Sequence, residues 1–436
     1  MVSMNHPSTE NSAQLMLVPG GTSMGAVTMT YSAMHKLWEL YEHFEKTGMQ
    51  RRQRIVVAPR EMTEALPSRA EASNAALQAR IKQMPASTDV ILETSGSTTG
   101  EPRLVGLSFG AMVASARATH EFLGGPGRWI VALPVHHVAG LQTLVRSCVA
   151  EASPIIADMS SGFDALALER AARTAADDPN LRGYLSLVPK QLSDALEVGG
   201  ELVTQLARLD AVLIGGSALS PALLDRAREA GIHVVTTYGM TETGGGCVYD
   251  GQPLPGVKIR VKDGRVQIAG PVLMDAYLDE RYTHFVEEDG ERWLATADAA
   301  EFDGRLTVLG RADDVIISGS VNIAPTRVLA ALEKMDGVRE ASVVALPDDT
   351  WGQVVAAAIV APEVFEKMKE GDAEEVLAAF AQKVREQVGA ELGRDHAPRV
   401  IAVVEELPRT TLGKVDRSGT ARLLTDLVAT RKAWVR

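Results

Sequence analysis

Val90-Ile91-Leu92-Glu93-Thr94-Ser95-Gly96-Ser97-Thr98-Thr99-Gly100-Glu101-Pro102-Arg103 sets a short apolar run against a loop of hydroxyls and glycines that ends in proline and a cation. Val90 to Glu93 reads as a buried strand. The glycines let backbone N–H groups converge on one concavity, and the Ser and Thr hydroxyls add donors without charge, so the loop can wrap a polyphosphate. Its pattern is not that of a Walker loop. A surface linker of this composition has no need to follow a buried strand or to end on proline and a cation.

Outward from this loop, short apolar runs alternate with helical patterns. Ser108 to Leu123 and Val138 to Val149 read as helices, and Ile130 to Leu133, Tyr184 to Val188 and Ala211 to Ile214 as strands. This rhythm predicts βα units and a mainly parallel sheet. A helix opened by Ser220-Pro221 and closed at Gly231 carries start and stop signals with a steric cause. Between Val257 and Leu309 the pattern changes to short strands with Asp-Gly turns at Asp263-Gly264, Asp289-Gly290 and Asp303-Gly304, which read as antiparallel hairpins. Beyond them, helix Pro325 to Met335, strands Ser342 to Leu346 and Val354 to Val360, helix Ala373 to Gln387 and strand Val400 to Val404 form a compact α+β segment. The expected fold is α/β, with a large N-terminal domain of βα-layered sheets (1–312) and a small α+β C-terminal lid domain (313–436). A chain of 436 residues exceeds what one core supports, so two domains are expected on size as well.

Bulk properties exclude several classes. A net charge of −12, with no basic stripe to override it, disfavours nucleic acid as a partner. Cys148 and Cys247 stand far apart without ligand-spaced neighbours, which argues against a disulfide framework or a zinc site and fits a reducing cytoplasm. The start lacks a secretory layout, and no segment has some ~18 uninterrupted apolar residues, so no membrane insertion is expected. A homo-oligomer stays open.

Three further segments carry chemical character. In Thr237-Tyr238-Gly239-Met240-Thr241-Glu242-Thr243 a Thr hydroxyl can bond a phosphate oxygen while the next carboxylate holds Mg²⁺ against it. Alone, this segment reads first as a turn with a solvated Glu. Asp298 can accept ribose hydroxyls and Arg311 can bind the sugar or a phosphate, although either also suits a hairpin ion pair. Lys414, in a short Gly-containing loop before the final helix, can deliver a mobile positive charge to a reacting carboxylate. A single loop lysine is by default solvated.

In this order the segments resemble the adenylate-forming superfamily of acyl-CoA synthetases, luciferases and peptide-synthetase adenylation domains, from about Asp89 to Arg417. The resemblance implies ATP, Mg²⁺ and CoA as reactants or cofactors and a carboxylic acid as substrate. It makes Thr94 to Arg103 the phosphate loop, sets Gly215, Gly216 and Ser217 with Tyr238 beside adenine, and gives Thr241 and Glu242 the α-phosphate and Mg²⁺. Gly239 and Met240 belong to the same nucleotide motif. Asp298 and Arg311 would bind ribose, Asp313 would be the hinge, and Lys414 would assist adenylation. Within the superfamily, Leu133 to Leu141, Ser186 to Leu192 and Thr237 to Asp250 resemble the o-succinylbenzoate:CoA ligases of menaquinone synthesis. There His137 lines the acyl pocket and Gly244, Gly245 and Gly246, after Thr243, keep its floor open for an aryl ring. Lys190 is the candidate partner of a second substrate carboxylate, since it follows a strand at the carboxyl edge of the sheet. A general aryl or fatty acyl-CoA ligase, or an enzyme that loads a carrier protein, is the alternative. The chain departs from the common pattern at Arg103, where Lys is usual, at Ser320, where a second Gly often follows Gly319, and in its short N-terminal part.

Overall fold

A computed structural model describes residues 13–49, 54–60, 77–94, 103–278, 284–319, 321–410 and 414–436. Ser95 to Pro102, Ser320 and Thr411 to Gly413 lie outside the described residues. By internal packing the chain divides into two units, the first made of residues 1–219, 226–259 and 268–295 and the second of 220–225, 260–267 and 296–436. Asp313, expected as the hinge, therefore lies beyond the point where the second unit takes over the chain.

The first unit opens with β1 (Ala13–Pro19), α1 (Met24–Thr47), β2 (Arg54–Arg60), β3 (Thr88–Glu93) and β4 (Leu104–Ser108). β1, β2 and β3 run parallel, β4 returns antiparallel to β3, and a later short strand completes the order β1-β2-β3-β4-β14. The Thr94 to Arg103 loop therefore joins two antiparallel strands of one sheet. The sequence reading passed from the strand directly to the helix at Ser108 and missed β4, whose five residues are too few to show a period. Thr94 and Arg103 close the base of this hairpin, Thr94 N–H donating to Arg103 O at 2.7 Å and Arg103 N–H to Thr94 Oγ1 at 3.2 Å.

Helix α2 (Phe109–Phe122) follows, N-capped by Ser108, whose Oγ accepts from Ala111 N–H at 3.1 Å. Then come β5 (Gly127–Val131), α3 (Val138–Val149), β6 (Ile155–Ile156), α4 (Ala165–Ala176), β7 (Arg182–Leu187), α5 (Pro189–Val198), α6 (Gly200–Ala207), β8 (Ala211–Ile214), α7 (Pro221–Glu229), β9 (Val234–Met240), β10 (Gly245–Tyr249) and β11 (Gln252–Pro253). They build a seven-stranded sheet of order β11-β10-β9-β8-β7-β5-β6 in which β6, β5, β7, β8 and β9 are parallel. β8 is buried along its whole length, as expected of a strand covered on both faces. Because β5, β7, β8 and β9 are parallel, the segments that follow them, Leu133 to His137, Val188 to Lys190, Gly215 to Ser217 and Thr241 to Thr243, all leave from one edge. Open α/β sheets bind ligands along such an edge.

A hairpin of β12 (Lys258–Lys262) and β13 (Arg265–Ala269) and the short β14 (Ala276–Tyr277) precede β15 (Phe285–Glu288), β16 (Glu291–Phe302) and β17 (Leu306–Arg311). Asp263, Gly264, Asp289 and Gly290 all have positive φ, the backbone of tight hairpin turns that Asp-Gly adopts at low cost.

The remainder of the second unit holds β18 (Ile316–Ser318), β19 (Val321–Ile323), α8 (Pro325–Glu333), β20 (Glu340–Asp348), β21 (Gly352–Val360), α9 (Pro362–Glu370), α10 (Ala373–Leu392), β22 (Val400–Val403), α11 (Arg417–Ala429) and β23 (Trp434–Val435). β20 pairs antiparallel and β22 parallel with β21. The period of two divides β21 cleanly: Val355, Ala357 and Ile359 join α8 and α10 in one core, while Val354, Ala356, Ala358 and Val360 meet Leu424 of α11 in another. This is the small α+β segment expected from the sequence.

Candidate active site

Glu242 sits in a single 3₁₀ turn, Thr241–Thr243, between β9 and β10. The turn is braced on every side. Thr243 is fully buried, its Oγ1 accepting from Met240 N–H at 3.0 Å and donating to Gly245 O at 2.6 Å. Gly244 takes the left-handed conformation that favours glycine, and its N–H returns to Thr241 O at 3.1 Å. From α3, Gln142 Nε2 donates to Gly244 O at 2.5 Å and Met112 O at 3.3 Å. Met274 N–H donates to Glu242 O at 2.8 Å, which joins the turn to the segment leading into β14.

The Glu242 carboxylate accepts from Tyr277 Oη at 2.7 Å. Burial first, and the carboxylate second, drive the Tyr277 hydroxyl well above the ordinary tyrosine range, with Arg103 opposing them. The Arg103 guanidinium lies 6.0 Å from the centroid of the same ring, and His284 meets that ring edge-on at 6.0 Å. Burial, then Arg103, lower the pKa of His284, with Glu242 opposing them. Arg103 and Glu242, 139 positions apart by their numbering, thus share one phenol.

Along the same sheet edge, Gly215 abuts Thr237, where any Cβ would stand 2.1 Å from Thr237 Oγ1, and Gly216 and Ser217 are exposed beyond it. Since β8 and β9 are neighbours, Gly215 to Ser217 emerge beside Tyr238, which is half-buried. Gly239 is required by close pairing, because a Cβ there would meet Gly245 O at 2.1 Å. Met240 is half-buried at the strand's end.

The residues expected around an acyl group fall out differently. His137 caps α3 at the same edge and its ring centroid is 4.1 Å from that of His136, whose Nδ1 accepts Gly21 N–H at 2.9 Å. Thr243 is present, but its hydroxyl serves the turn. The glycines make room for protein atoms: a Cβ on Gly245 would stand 3.2 Å from Gln142 Cγ, and one on Gly246 2.7 Å from the Tyr249 ring. Close packing is one physical need for glycine at 245 and 246. Lys190 is 42% exposed and pairs with Asp194 one turn on, so it does not stand buried and waiting for an anion.

A buried cation that the sequence reading passed over is Arg146. It is 3% exposed, its Nη2 donates to Tyr249 Oη at 2.9 Å, its guanidinium lies 4.6 Å from the Trp129 ring centroid, and its Nε has no partner. Tyr249 Oη also bonds Thr119 Oγ1 at 3.0 Å, and Trp129 Nε1 donates to His120 Nε2 at 3.0 Å. Burial, then Arg146, push His120 down to about 4. Cys148 and Cys247 are free and buried, and burial raises both thiols to about 12, which suits packing rather than nucleophilic chemistry.

In the second unit, Asp298 and Arg311 are register partners across the β16–β17 hairpin, so their side chains leave from one face. Asp298 N–H donates to Thr296 Oγ1 at 3.1 Å, and a Cβ on Gly310 would meet Thr326 Cγ2 at 2.8 Å. Gly319, with φ 61°, donates its N–H to Trp351 O at 2.9 Å. Lys414 is half-buried at the root of its loop, its O accepting Thr410 N–H at 2.8 Å, and burial lowers its pKa.

Residues 25–278 match the AMP-binding enzyme family and residues 330–414 its C-terminal domain, and the chain belongs to that family. It is 41% identical over 363 residues, 82% of this chain and 90% of the relative, to a Mycobacterium tuberculosis protein named "Probable 2-succinylbenzoate--CoA ligase". The 2-succinylbenzoate–CoA ligase of Enterococcus faecalis is 31% identical over 353 residues, covering 74% of this chain and 67% of the relative. In fold, the chain is similar to o-succinylbenzoate CoA synthetase from Bacillus subtilis in complex with its acyl-adenylate intermediate, with TM-score 0.65, 23% identity, and coverage of 93% of this chain and 87% of that one. ATP-bound MatB from Rhodopseudomonas palustris gives TM-score 0.70 at 20% identity, covering 92% and 93%. Among the described residues no helix is long and apolar enough to cross a membrane.

Proposed function

We propose that this chain is an ATP-dependent carboxylate:CoA ligase acting on o-succinylbenzoate in menaquinone synthesis. In the first half-reaction the substrate carboxylate attacks the α-phosphorus of ATP, forming acyl-AMP and releasing pyrophosphate. In the second, the CoA thiol attacks the acyl carbon, giving the thioester and AMP. The observation that carries the reading is the joining of Arg103, at the foot of the Thr94 loop, to Glu242 through Tyr277. That arrangement brings a cation for phosphate and a carboxylate for a hard metal ion to one place. Mg²⁺ keeps most of its ligands as water and phosphate oxygen, so a single protein carboxylate such as Glu242 fits it, and the ion would neutralise phosphate charge. Thr241 would bond the α-phosphate, Gly215 to Ser217 and Tyr238 flank adenine, and Asp298 and Arg311 hold ribose. Lys414 would bring its charge to the reacting carboxylate and then withdraw by hinge motion at Asp313, which lies in the turn between β17 and β18, leaving room for CoA near Gly319. The domain limits 1–312 and 313–436 follow from that hinge.

The second carboxylate of o-succinylbenzoate needs a donor, because an unpaired buried charge is costly. Lys190 does not fit: an exposed pair such as Lys190–Asp194 is worth about 0–1 kcal/mol and stays in water. Arg146 fits better. A buried cation without a carboxylate costs several kcal/mol, of which contact with the Trp129 face returns roughly 2 kcal/mol. Its network also adjoins the acyl segment, since Tyr249 packs on Gly246 and Gln142, one helical turn before Arg146, holds Gly244. A panel of carboxylic acids assayed for pyrophosphate release, with and without CoA, tests the whole reading. Preference for the aryl diacid with CoA-dependent thioester formation is expected. Preference for a monocarboxylic acid would leave a general acyl-CoA ligase, and indifference to CoA would leave an enzyme that loads a carrier protein.

A further inference from the structure

We infer that Tyr277 is a positioning residue for nucleotide binding, orienting Glu242 and Arg103 before ATP arrives; this rests on the ATP-dependent reading above. The phenol comes from a segment with little freedom. Asp275 N–H donates to Gly106 O and Leu278 N–H to Leu104 O, each at 2.9 Å, so β14 is fastened to β4 just past Arg103. The Asp275 carboxylate accepts Ser87 Oγ at 3.0 Å and Thr88 Oγ1 at 2.8 Å, and Arg292 donates to Asp275 O at 2.6 Å and Met274 O at 3.3 Å. The Tyr277 ring is only 8% exposed.

A hydroxyl held this firmly has one proton to share, and Tyr277 donates it in a hydrogen bond to Glu242 Oε1. Its oxygen is in turn hydrogen-bonded by Arg103. The phenol thus fixes the carboxylate's rotamer and places the guanidinium relative to it, although it need not touch substrate itself. Glu242 is half-buried on a short turn whose backbone is braced, so the Tyr277 bond acts on the one part that the backbone leaves rotatable, the side chain. Preorganisation of this kind removes an ordering cost from ligand binding.

Tyr277→Phe keeps the ring and deletes only the hydroxyl. Calorimetric titration of the full-length protein with ATP at several Mg²⁺ concentrations, with no acid present, should show MgATP binding weakened about tenfold, the size expected for one hydrogen bond to a charged group. The KM for the carboxylic acid should change less than twofold, and the melting temperature should stay near that of the wild type. In the double variant with Glu242→Gln, the two losses should be less than additive. Unchanged MgATP affinity in Tyr277→Phe, or full additivity with Glu242→Gln, would overturn the positioning role. Failure of the wild type itself to bind MgATP would instead overturn the ATP-dependent reading, and this inference with it.

Discussion

Glu242 and Lys414 both put one charge at the end of a short turn, yet they are supported in opposite ways. The Glu242 turn is tied to β10 by Thr243, to α3 by Gln142, to the β14 segment by Met274, and through its carboxylate to Tyr277. Among the described residues, Lys414 is tied at the root of its loop, by Thr410 N–H to its own carbonyl and by the Arg409–Val415 bridge, with Arg409 held by Glu340 at 2.6 Å and 2.8 Å. In the proposed reaction, a carboxylate that meets the nucleotide whenever it binds would gain from rigid support. A cation used in one half-reaction and obstructive in the next would gain from a support that local rearrangement can move.

Lys414→Ala should separate the two most sharply. Adenylation should fall about 10²-fold or more, as for loss of one preorganised electrostatic donor, while thioester formation from supplied acyl-adenylate is spared. Equal loss in both half-reactions would erase the distinction. The pH profile gives an independent check. Burial lowers the pKa of Lys414, so its cation is present at low pH and disappears as pH rises through that lowered value. Adenylation should therefore show an alkaline decline that thioester formation lacks, and Lys414→Arg should move it to higher pH, since the guanidinium keeps its proton.

A smaller effect is expected behind the rigid turn. Arg146→Leu should raise the KM for o-succinylbenzoate about tenfold, the scale of one lost charged hydrogen bond, without lowering the melting temperature, because exchanging an unpaired buried charge for an apolar side chain is often neutral or stabilising. Lys190→Met should change the same KM less than twofold. If the ranking is reversed, the second carboxylate is held from the surface helix instead.

The smallest effect concerns stability. His120 is held neutral, its pKa lowered from 6.5 to about 4, so the folded state binds fewer protons than the unfolded chain between those values. Stability should fall as pH drops through 6.5 toward 4, by about 1 kcal/mol between pH 7 and pH 5.5. His120→Gln, which keeps an acceptor for Trp129 Nε1, should flatten that slope in denaturant titrations at the two pH values. An unchanged slope would mean that His120 is not the group responsible.

Much of the frame is legible in the sequence because its signals are local. The alternation from Ile130 to Ile214 announces parallel strands, and Asp-Gly at 263–264 and 289–290 announces turns whose positive φ those residues accept. What stayed hidden had no local signature. Tyr277 sits in a two-residue strand with no period to read. Arg146 lies on a helix buried from Gly140 to Cys148, so a polar face, the usual home of an arginine, does not exist there. The exposure of Lys190 was hidden for the converse reason, since position after a strand says nothing of whether a long side chain turns to solvent.

By itself, then, the order of residues determined the kinds of element, the hydroxyl-rich loop after Val90 to Glu93, the Thr241-Glu242 pair and the α+β segment beyond Asp313, since propensity, period and turn chemistry act over a few neighbours. Only tertiary structure decided that the loop joins β3 to an antiparallel β4, that one phenol serves both Arg103 and Glu242, and that the Gly244 to Gly246 segment packs on Gln142 and Tyr249. Apart from Gly246 and Tyr249, these contacts join residues from about ten to well over a hundred positions apart. They exist because strand pairing and core packing bring distant segments within a few ångströms, and hydrogen bonds and charges act only at that range.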